Sequence, residues 1–282
     1  MVKLSLPEDL ANKKIILCKE EPFFVSPEGE GKWTGRLCAW MRTSTCNLSC
    51  AWTNSDGTVT LCDTPYTSHK PSKHVVTAQQ AYNSLMDAKT SYVSISGGEP
   101  SSSEPTIALI DYIEGSGKRV KIETNGTQFF ESKASLISMS PKLKSSSSGL
   151  KTMSELTYDK QDTNNFLHTE DFERQSRVYA RLYERHESQR YNLESMKKFL
   201  DYYKERVVFK FVANQESDIE EIVQNYMEPL NIPTDQIWLM PQGVTTSQLN
   251  EKAEWAIEQC KKYSWNYSDR LHIRIYGNKS GV

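Results

Sequence analysis

Three cysteines gathered in one short stretch constrain this chain more than any other feature. Cys46-Asn47-Leu48-Ser49-Cys50-Ala51-Trp52 is followed by nine residues and then by Cys62-Asp63-Thr64-Pro65-Tyr66. Three thiolates meeting at one inorganic core pin the backbone that carries them. They can hold an iron–sulfur cluster and leave one iron without a protein ligand, open to chemistry. With His69 or His74 they could instead complete a zinc site. The segment between Cys50 and Cys62 contains Asp56-Gly57, a hairpin signal, and a hairpin returns its ends to one place.

Acidic and basic side chains nearly cancel, at 36 against 34, so no basic excess points to nucleic acid. No apolar run approaches membrane-spanning length. The first residues, Met1 to Asp9, lack the regions of a secretory signal. The expectation is a reducing cytoplasm, where the six cysteines serve as ligands or core residues, not disulfides. Cys18, Cys38 and Cys260 are scattered and read as core. Length fits one domain over 1–282.

Short β-branched runs alternate with amphipathic stretches. Strands are expected at 37–41, 92–96, 119–123, 136–139, 207–212, 236–240 and 271–275, and helices at 78–89, 105–114, 192–204, 218–226 and 247–263. Thr77 to Gln80 and Ser217 to Glu220 read as capping boxes. The alternation predicts an α/β fold with a parallel sheet and a site at the carboxyl ends of its strands. Gly97-Gly98-Glu99, Thr124-Asn125-Gly126, Ser140-Pro141-Lys142 and Pro241-Gln242-Gly243 each follow such a run. Two inserts are expected, a hairpin at 53–61 and an extra segment at about 145–190. Within the second, a mobile loop is expected from Ser145 to about Thr169 and a charged helix from Glu170 to Arg190.

Ser26-Pro27-Glu28-Gly29-Glu30-Gly31, the cysteine trio, Ser96-Gly97-Gly98-Glu99-Pro100, Glu123-Thr124-Asn125-Gly126-Thr127, Ser140-Pro141-Lys142 and the tail Gly277-Asn278-Lys279-Ser280-Gly281-Val282 occur in that order. Gly-Gly-Glu-Pro after a strand resembles the radical S-adenosylmethionine (SAM) superfamily. The whole set, from about Pro22 to the last residue, resembles the 7-carboxy-7-deazaguanine synthases. Two departures stand out: eleven residues between Cys50 and Cys62 where that family has two, and Glu28 where glutamine is usual.

The resemblance implies a partial, modified (β/α)6 radical-SAM barrel. It implies a lyase that converts 6-carboxy-5,6,7,8-tetrahydropterin to 7-carboxy-7-deazaguanine with loss of ammonia. Cys46, Cys50 and Cys62 are then ligands of a 4Fe-4S cluster, and Thr64 is a magnesium ligand. SAM is expected against Leu61, Cys62, Asp63, Gly98, Glu99, Ser140, Pro141, Lys142, Met240, Pro241, Gln242 and Gly243. The pterin is expected against Pro27, Glu28, Gly29, Arg42, Ser96, His272 and the Val282 carboxylate. A flavodoxin-like or other one-electron donor and a homodimer are implied too. The rival readings are another radical-SAM enzyme, such as a glycyl-radical activase, and a non-catalytic zinc- or cluster-binding protein.

Overall fold

The computed structural model of this chain describes residues 4–19, 22–54, 56–155, 169–277 and 279, without the side chains of 169–173. Val282 lies outside the described residues. The strands are β1 (Lys14–Leu17), β2 (Phe23–Pro27), β3 (Leu37–Thr43), β4 (Ala51–Thr53), β5 (Val59–Leu61), β6 (His74–Thr77), β7 (Tyr92–Gly97), β8 (Arg119–Thr124), β9 (Leu136–Met139), β10 (Val207–Ala213), β11 (Ile237–Pro241) and β12 (Asn266–Tyr267). The helices are α1 (Glu8–Ala11), α2 (Pro65–Ser68), α3 (Ala78–Asp87), α4 (Glu104–Gly115), α5 (Ser148–Glu155), α6 (Thr169–Gln189), α7 (Leu193–Tyr203), α8 (Glu216–Glu221), α9 (Glu228–Leu230), α10 (Thr246–Tyr263) and α11 (Leu271–Tyr276).

Six strands, β3, β7, β8, β9, β10 and β11, lie side by side and parallel in sequence order, with β12 added parallel at one edge. This is the partial (β/α)6 arrangement. At the other edge β1 runs antiparallel to β3 and to β6, and β2 runs antiparallel to β3. These three strands lie outside the expected set. The crossover from β8 to β9 carries no helix.

Period-two alternation divides the sheet into two faces. Val93, Ile95, Val120, Ile122, Phe209, Phe211, Ile237 and Leu239 are fully buried in the main core. The alternate residues share the other face, as the register shows: Ser94 pairs with Lys121, Glu123 with Ser138, and Lys210 with Trp238. At the base of this inner face Trp33, Cys38, Leu136 and Val208 form a small apolar plug. Above it the inner residues are charged, and above those lie the strand-end loops. Cys18 and Cys260 are also buried.

Three local expectations are corrected. Leu271–Tyr276 is a short helix, not a strand. Its alternating Leu-His-Ile-Arg-Ile is too short for period to decide, and tertiary contacts of Arg270 with Glu30 and of Arg274 with Asn250 set its conformation. The mobile loop expected from Ser145 is ordered over 144–155 as one 3₁₀ turn and α5, with Gly149 and Leu150 buried against neighbours; the expected loop at 156–168 lies outside the described residues. The box at Ser217 is absent, because the helix begins earlier, at Glu216, and Asp218 accepts from the Asn214 N–H at 2.7 Å. The box at Thr77 is complete, and a second closes at Thr245 and Gln248.

The helix α6 ends against the cysteine loop. Its His186 is fully buried, and burial pushes the imidazole down to about 4 from 6.5; Glu187 opposes this, while Arg190, Lys142 and Arg185 add to it. Between those values the unfolded chain takes up a proton that the folded one refuses, so stability falls as pH drops from 6.5 towards 4. The expected loss from this one group is about 3 kcal/mol at pH 4. Urea unfolding of the metal-free protein across that range, wild type against His186→Asn, isolates it as a pH-dependent difference. A pH-independent difference would show that His186 is not buried neutral.

Candidate active site

The loops after β3 and β7 lie directly on one another. Gly98 N–H donates to Thr43 O at 3.0 Å and Glu99 N–H to Thr45 O at 2.8 Å. A Cβ on Gly98 would stand 1.8 Å from Thr45 O; one on Gly97, whose φ is +121°, would stand 2.1 Å from Thr43 O. This is why the motif needs two glycines: the backbone leading into Cys46 occupies the space of a side chain. Gly98→Ala should destabilise the metal-free protein by about 3 kcal/mol through overpacking against backbone. Urea denaturation measures it, and a cost below about 1 kcal/mol would mean that the loops can part freely.

Cys46, Cys50 and Cys62 line the same pocket. The hairpin expected between the last two is formed: β4 and β5 pair antiparallel, Ala51 opposite Leu61. Its base is closed by Cys62 N–H donating to Cys50 O at 3.0 Å. Burial pushes the Cys46 thiol up to about 12, and raises Cys50 and Cys62 as well, with Asp63 adding to the shift at Cys62. Metal entry must displace these protons, and thiolate–metal bonding supplies the free energy. The donor set, three thiols and no further cysteine in the pocket, fits a cluster with one open iron. The zinc alternative needs an imidazole. His69 Nε2 is instead 2.9 Å from the Cys50 carbonyl oxygen, and His74 is exposed on β6. Among the described residues no three His, Cys, Asp or Glu side chains converge at single-ion spacing.

Thr64 precedes α2 but makes no side-chain capping bond to it; its Oγ1 lies 3.5 Å from Cys62 Sγ and faces the pocket. Arg42, at the end of β3, stacks over Phe24 at 5.0 Å and donates to Tyr66 Oη at 2.5 Å. Lys142 Nζ donates to Ser140 O and Oγ at 2.7 and 2.8 Å. Glu99 is buried and accepts from Thr124 Oγ1, Asn125 N–H and Ser101 N–H at 2.8, 2.6 and 3.1 Å. Pro27, Leu61, Asp63, Ser96, Gly98, Met240, Pro241, Gln242 and Gly243 line the same pocket as the thiols. His272 lines it too, and its ring lies so close over Gly29 that a Cβ there would meet Nδ1 at 2.0 Å. Glu99, Pro141 and Gly29 stand behind this lining.

Sequence reasoning named Glu28 and Asp63 but missed the charged layer that joins them at the floor of the pocket, where Glu28, Glu30, Asp63, Glu123, Lys210 and Arg270 all line it. Lys121 bridges Glu28 at 2.8 Å and Glu123 at 2.5 Å. Lys210 bridges Glu123 at 2.9 Å and Glu30. Arg270 bridges Glu30 at 2.9 Å and Asp63, and donates to Gly243 O at 2.7 Å. Alternating charges thus join the loop after β2, β8, β10, the cysteine loop and the start of α11. Despite burial, the neighbouring cations Lys210 and Arg270 hold Glu30 well below the ordinary carboxylate range, and Lys121 and Lys210 lower Glu123. The Glu28 carboxylate is fully engaged from within. It accepts from Gly29 N–H, Glu30 N–H and Ser94 Oγ besides Lys121, and burial raises its pKa. One signal was available: Lys121 and Glu123 are two apart on a central strand, and Lys210 lies between two phenylalanines on another. A charge at such a position must face a polar interior.

Parallel strands carrying a three-cysteine loop and a Gly-Gly-Glu-Pro loop on one rim place the chain among the radical-SAM proteins. No protein-family model matches it. A 7-carboxy-7-deazaguanine synthase from Rhodopirellula baltica is 31% identical over 259 residues, covering 92% of this chain and 86% of the relative. One from Halobacterium salinarum is 26% identical, covering 90% and 89%. The chain belongs to the 7-carboxy-7-deazaguanine synthase family. The crystal structure of QueE from Escherichia coli shares the fold, with a TM-score of 0.57 and 19% identity over 95% of this chain and all of that one.

Proposed function

We propose that this chain, acting as one domain, converts 6-carboxy-5,6,7,8-tetrahydropterin to 7-carboxy-7-deazaguanine and ammonia in 7-deazapurine biosynthesis. The observation that supports this reading is that Cys46, Cys50, Cys62, Thr64, Arg42, Gly97 and Gly98 all line a single pocket. Cys46, Cys50 and Cys62 would hold the 4Fe-4S cluster, and the loops after β7, β9 and β11 would hold SAM. Bound together, cluster and SAM would supply the radical that starts the reaction.

The protein's own residues bind, orient and enclose. Arg42 presents a planar fork to the pterin carboxylate. Thr64 offers one hydroxyl to magnesium, whose remaining sites suit water and substrate oxygen. His272, whose pKa burial lowers, is neutral at pH 7 and can accept or donate one hydrogen bond. Glu28 acts through its backbone and through the tilt of the Gly29 loop, since its carboxylate is occupied. The charged layer below keeps these groups in register and closes the pocket floor against water.

A reducing compartment, a flavodoxin-like or other one-electron donor and a homodimer complete the proposal. Among the described residues no helix is long and apolar enough to cross a membrane. Anaerobic reconstitution with iron and sulfide, then incubation with SAM, magnesium, reductant and the carboxypterin, tests the reading. Formation of the deazaguanine is expected. A colourless zinc protein, or a cluster-loaded one that makes no product, would overturn it.

A further inference from the structure

We propose that the carboxy-terminal turns of α6 form a clamp that positions the cysteine loop, with His186 as its principal positioning residue. This rests on the reading that Cys46, Cys50 and Cys62 hold a cluster. The clamp is built from the segment after β9, and none of the residues named in it lines the pocket that holds the three thiols.

Ser49, between two of the three cysteines, is fully buried, and its N–H donates to His186 Nδ1 at 3.2 Å. That bond makes Nδ1 the acceptor, so Nε2 carries the proton and donates to Ser146 Oγ at 3.0 Å. Ser146 Oγ in turn donates to Leu143 O at 2.6 Å, just after the Ser140-Pro141-Lys142 loop. One imidazole thus ties the loop after β3 to the loop after β9. Arg185 adds a bond to Ser49 Oγ at 2.9 Å.

The other arm of the cysteine loop is held by the same segment. A two-stranded hairpin is marginal alone, and β4–β5 rests on α5. Thr53 N–H donates to Ser148 Oγ at 2.9 Å, and Gly149 sits so close that a Cβ there would meet Val59 Cγ1 at 2.7 Å. The hairpin and the segment carrying α5 and α6 therefore pack as one unit, in which α5 and α6 hold the long cysteine loop from both arms. Groups that orient metal ligands from behind typically change metal affinity by ~10–100-fold when lost.

The test compares reconstituted wild type with His186→Leu, His186→Asn and Arg185→Ala. Three quantities are read: the rate of iron release to a ferrous chelator, the electron paramagnetic resonance signal of the reduced cluster, and the melting temperature of the metal-free protein. His186→Leu strands the Ser49 N–H and should release iron about tenfold faster, with an altered resonance signal. His186→Asn restores an acceptor near the place of Nδ1 and should recover most of the loss. A merely structural histidine would lower the melting temperature without this rescue in the cluster signal. Unchanged iron release and resonance in His186→Leu, or no recovery in His186→Asn at equal melting temperature, overturns the proposal. If His186→Leu does not fold, Arg185→Ala decides: faster iron release supports the clamp, and an unchanged rate overturns it. A wild type that takes up no cluster would sink the functional reading instead.

Discussion

Replacing Cys62 by alanine should abolish formation of 7-carboxy-7-deazaguanine while leaving the metal-free fold intact. Two thiolates cannot hold three corners of a cubane, so anaerobic reconstitution should yield substoichiometric, labile iron and no SAM-dependent change in the cluster's resonance signal. The backbone should barely respond. The hairpin base is closed by the Cys62 N–H, which alanine retains, and the thiol's own contacts, to Asp63 and Thr64 at 3.6 and 3.5 Å, are weak. Thermal melts of the metal-free proteins should therefore superimpose. Product at the wild-type rate would remove Cys62 from the ligand set and, with it, the requirement that the hairpin return to the cluster.

Lys210→Met should destabilise the protein by about 3–5 kcal/mol at pH 7, because it leaves two buried carboxylates facing one another without their shared cation. The side chain lies between Glu123, at 2.9 Å, and Glu30, and is only 4% exposed. The pH dependence should also weaken. In the wild type Glu30 and Glu123 have depressed pKa values, so their contribution is present above the unfolded carboxylate range and is lost as pH falls through the folded values. Without Lys210, Arg270 still bridges Glu30 and Lys121 still bridges Glu123, so both carboxylates keep a cation but are held down less strongly, and the variant should lose less stability than the wild type as pH falls. Urea unfolding at several pH values reads both effects. A uniform, pH-independent loss would mean that Lys210 contributes packing alone. The carboxypterin should bind the variant poorly even where it folds, since Glu30 anchors Arg270 and, through it, Asp63 beside Cys62.

The parallel strands were legible because each is a short apolar run on a central strand of a two-faced sheet, where sequence pattern and burial coincide. The three antiparallel strands at the edge were not. β1, β2 and β6 are brief and half exposed, and their pairing with β3 and with one another is a long-range event that local pattern does not encode. Leu271–Tyr276 failed for the opposite reason: its alternation was present but too short to outweigh its surroundings. The serine-rich run at 145–148 looked like a loop by composition. The hydroxyls of Ser146, Ser147 and Ser148 are spent on backbone carbonyls and on His186 and Glu187, which makes the run an ordered turn entering α5.

The linear chain by itself determined the chemistry within reach: which side chains can bind iron, that Asp56-Gly57 lets a lengthened loop return on itself, and which polar clusters end the parallel strands. Those are matters of residue type and local spacing, and local spacing survives any fold. Only the tertiary structure decided what surrounds them. It turned Glu28 inward onto Lys121, linked seven charges across five segments, and set a buried histidine from a distant helix against the backbone between two cysteines. Such contacts join residues up to 240 positions apart, as in the pairing of Arg270 with Glu30. Their stability comes from a low-dielectric interior that exists only once the sheet and the loops above it have packed together.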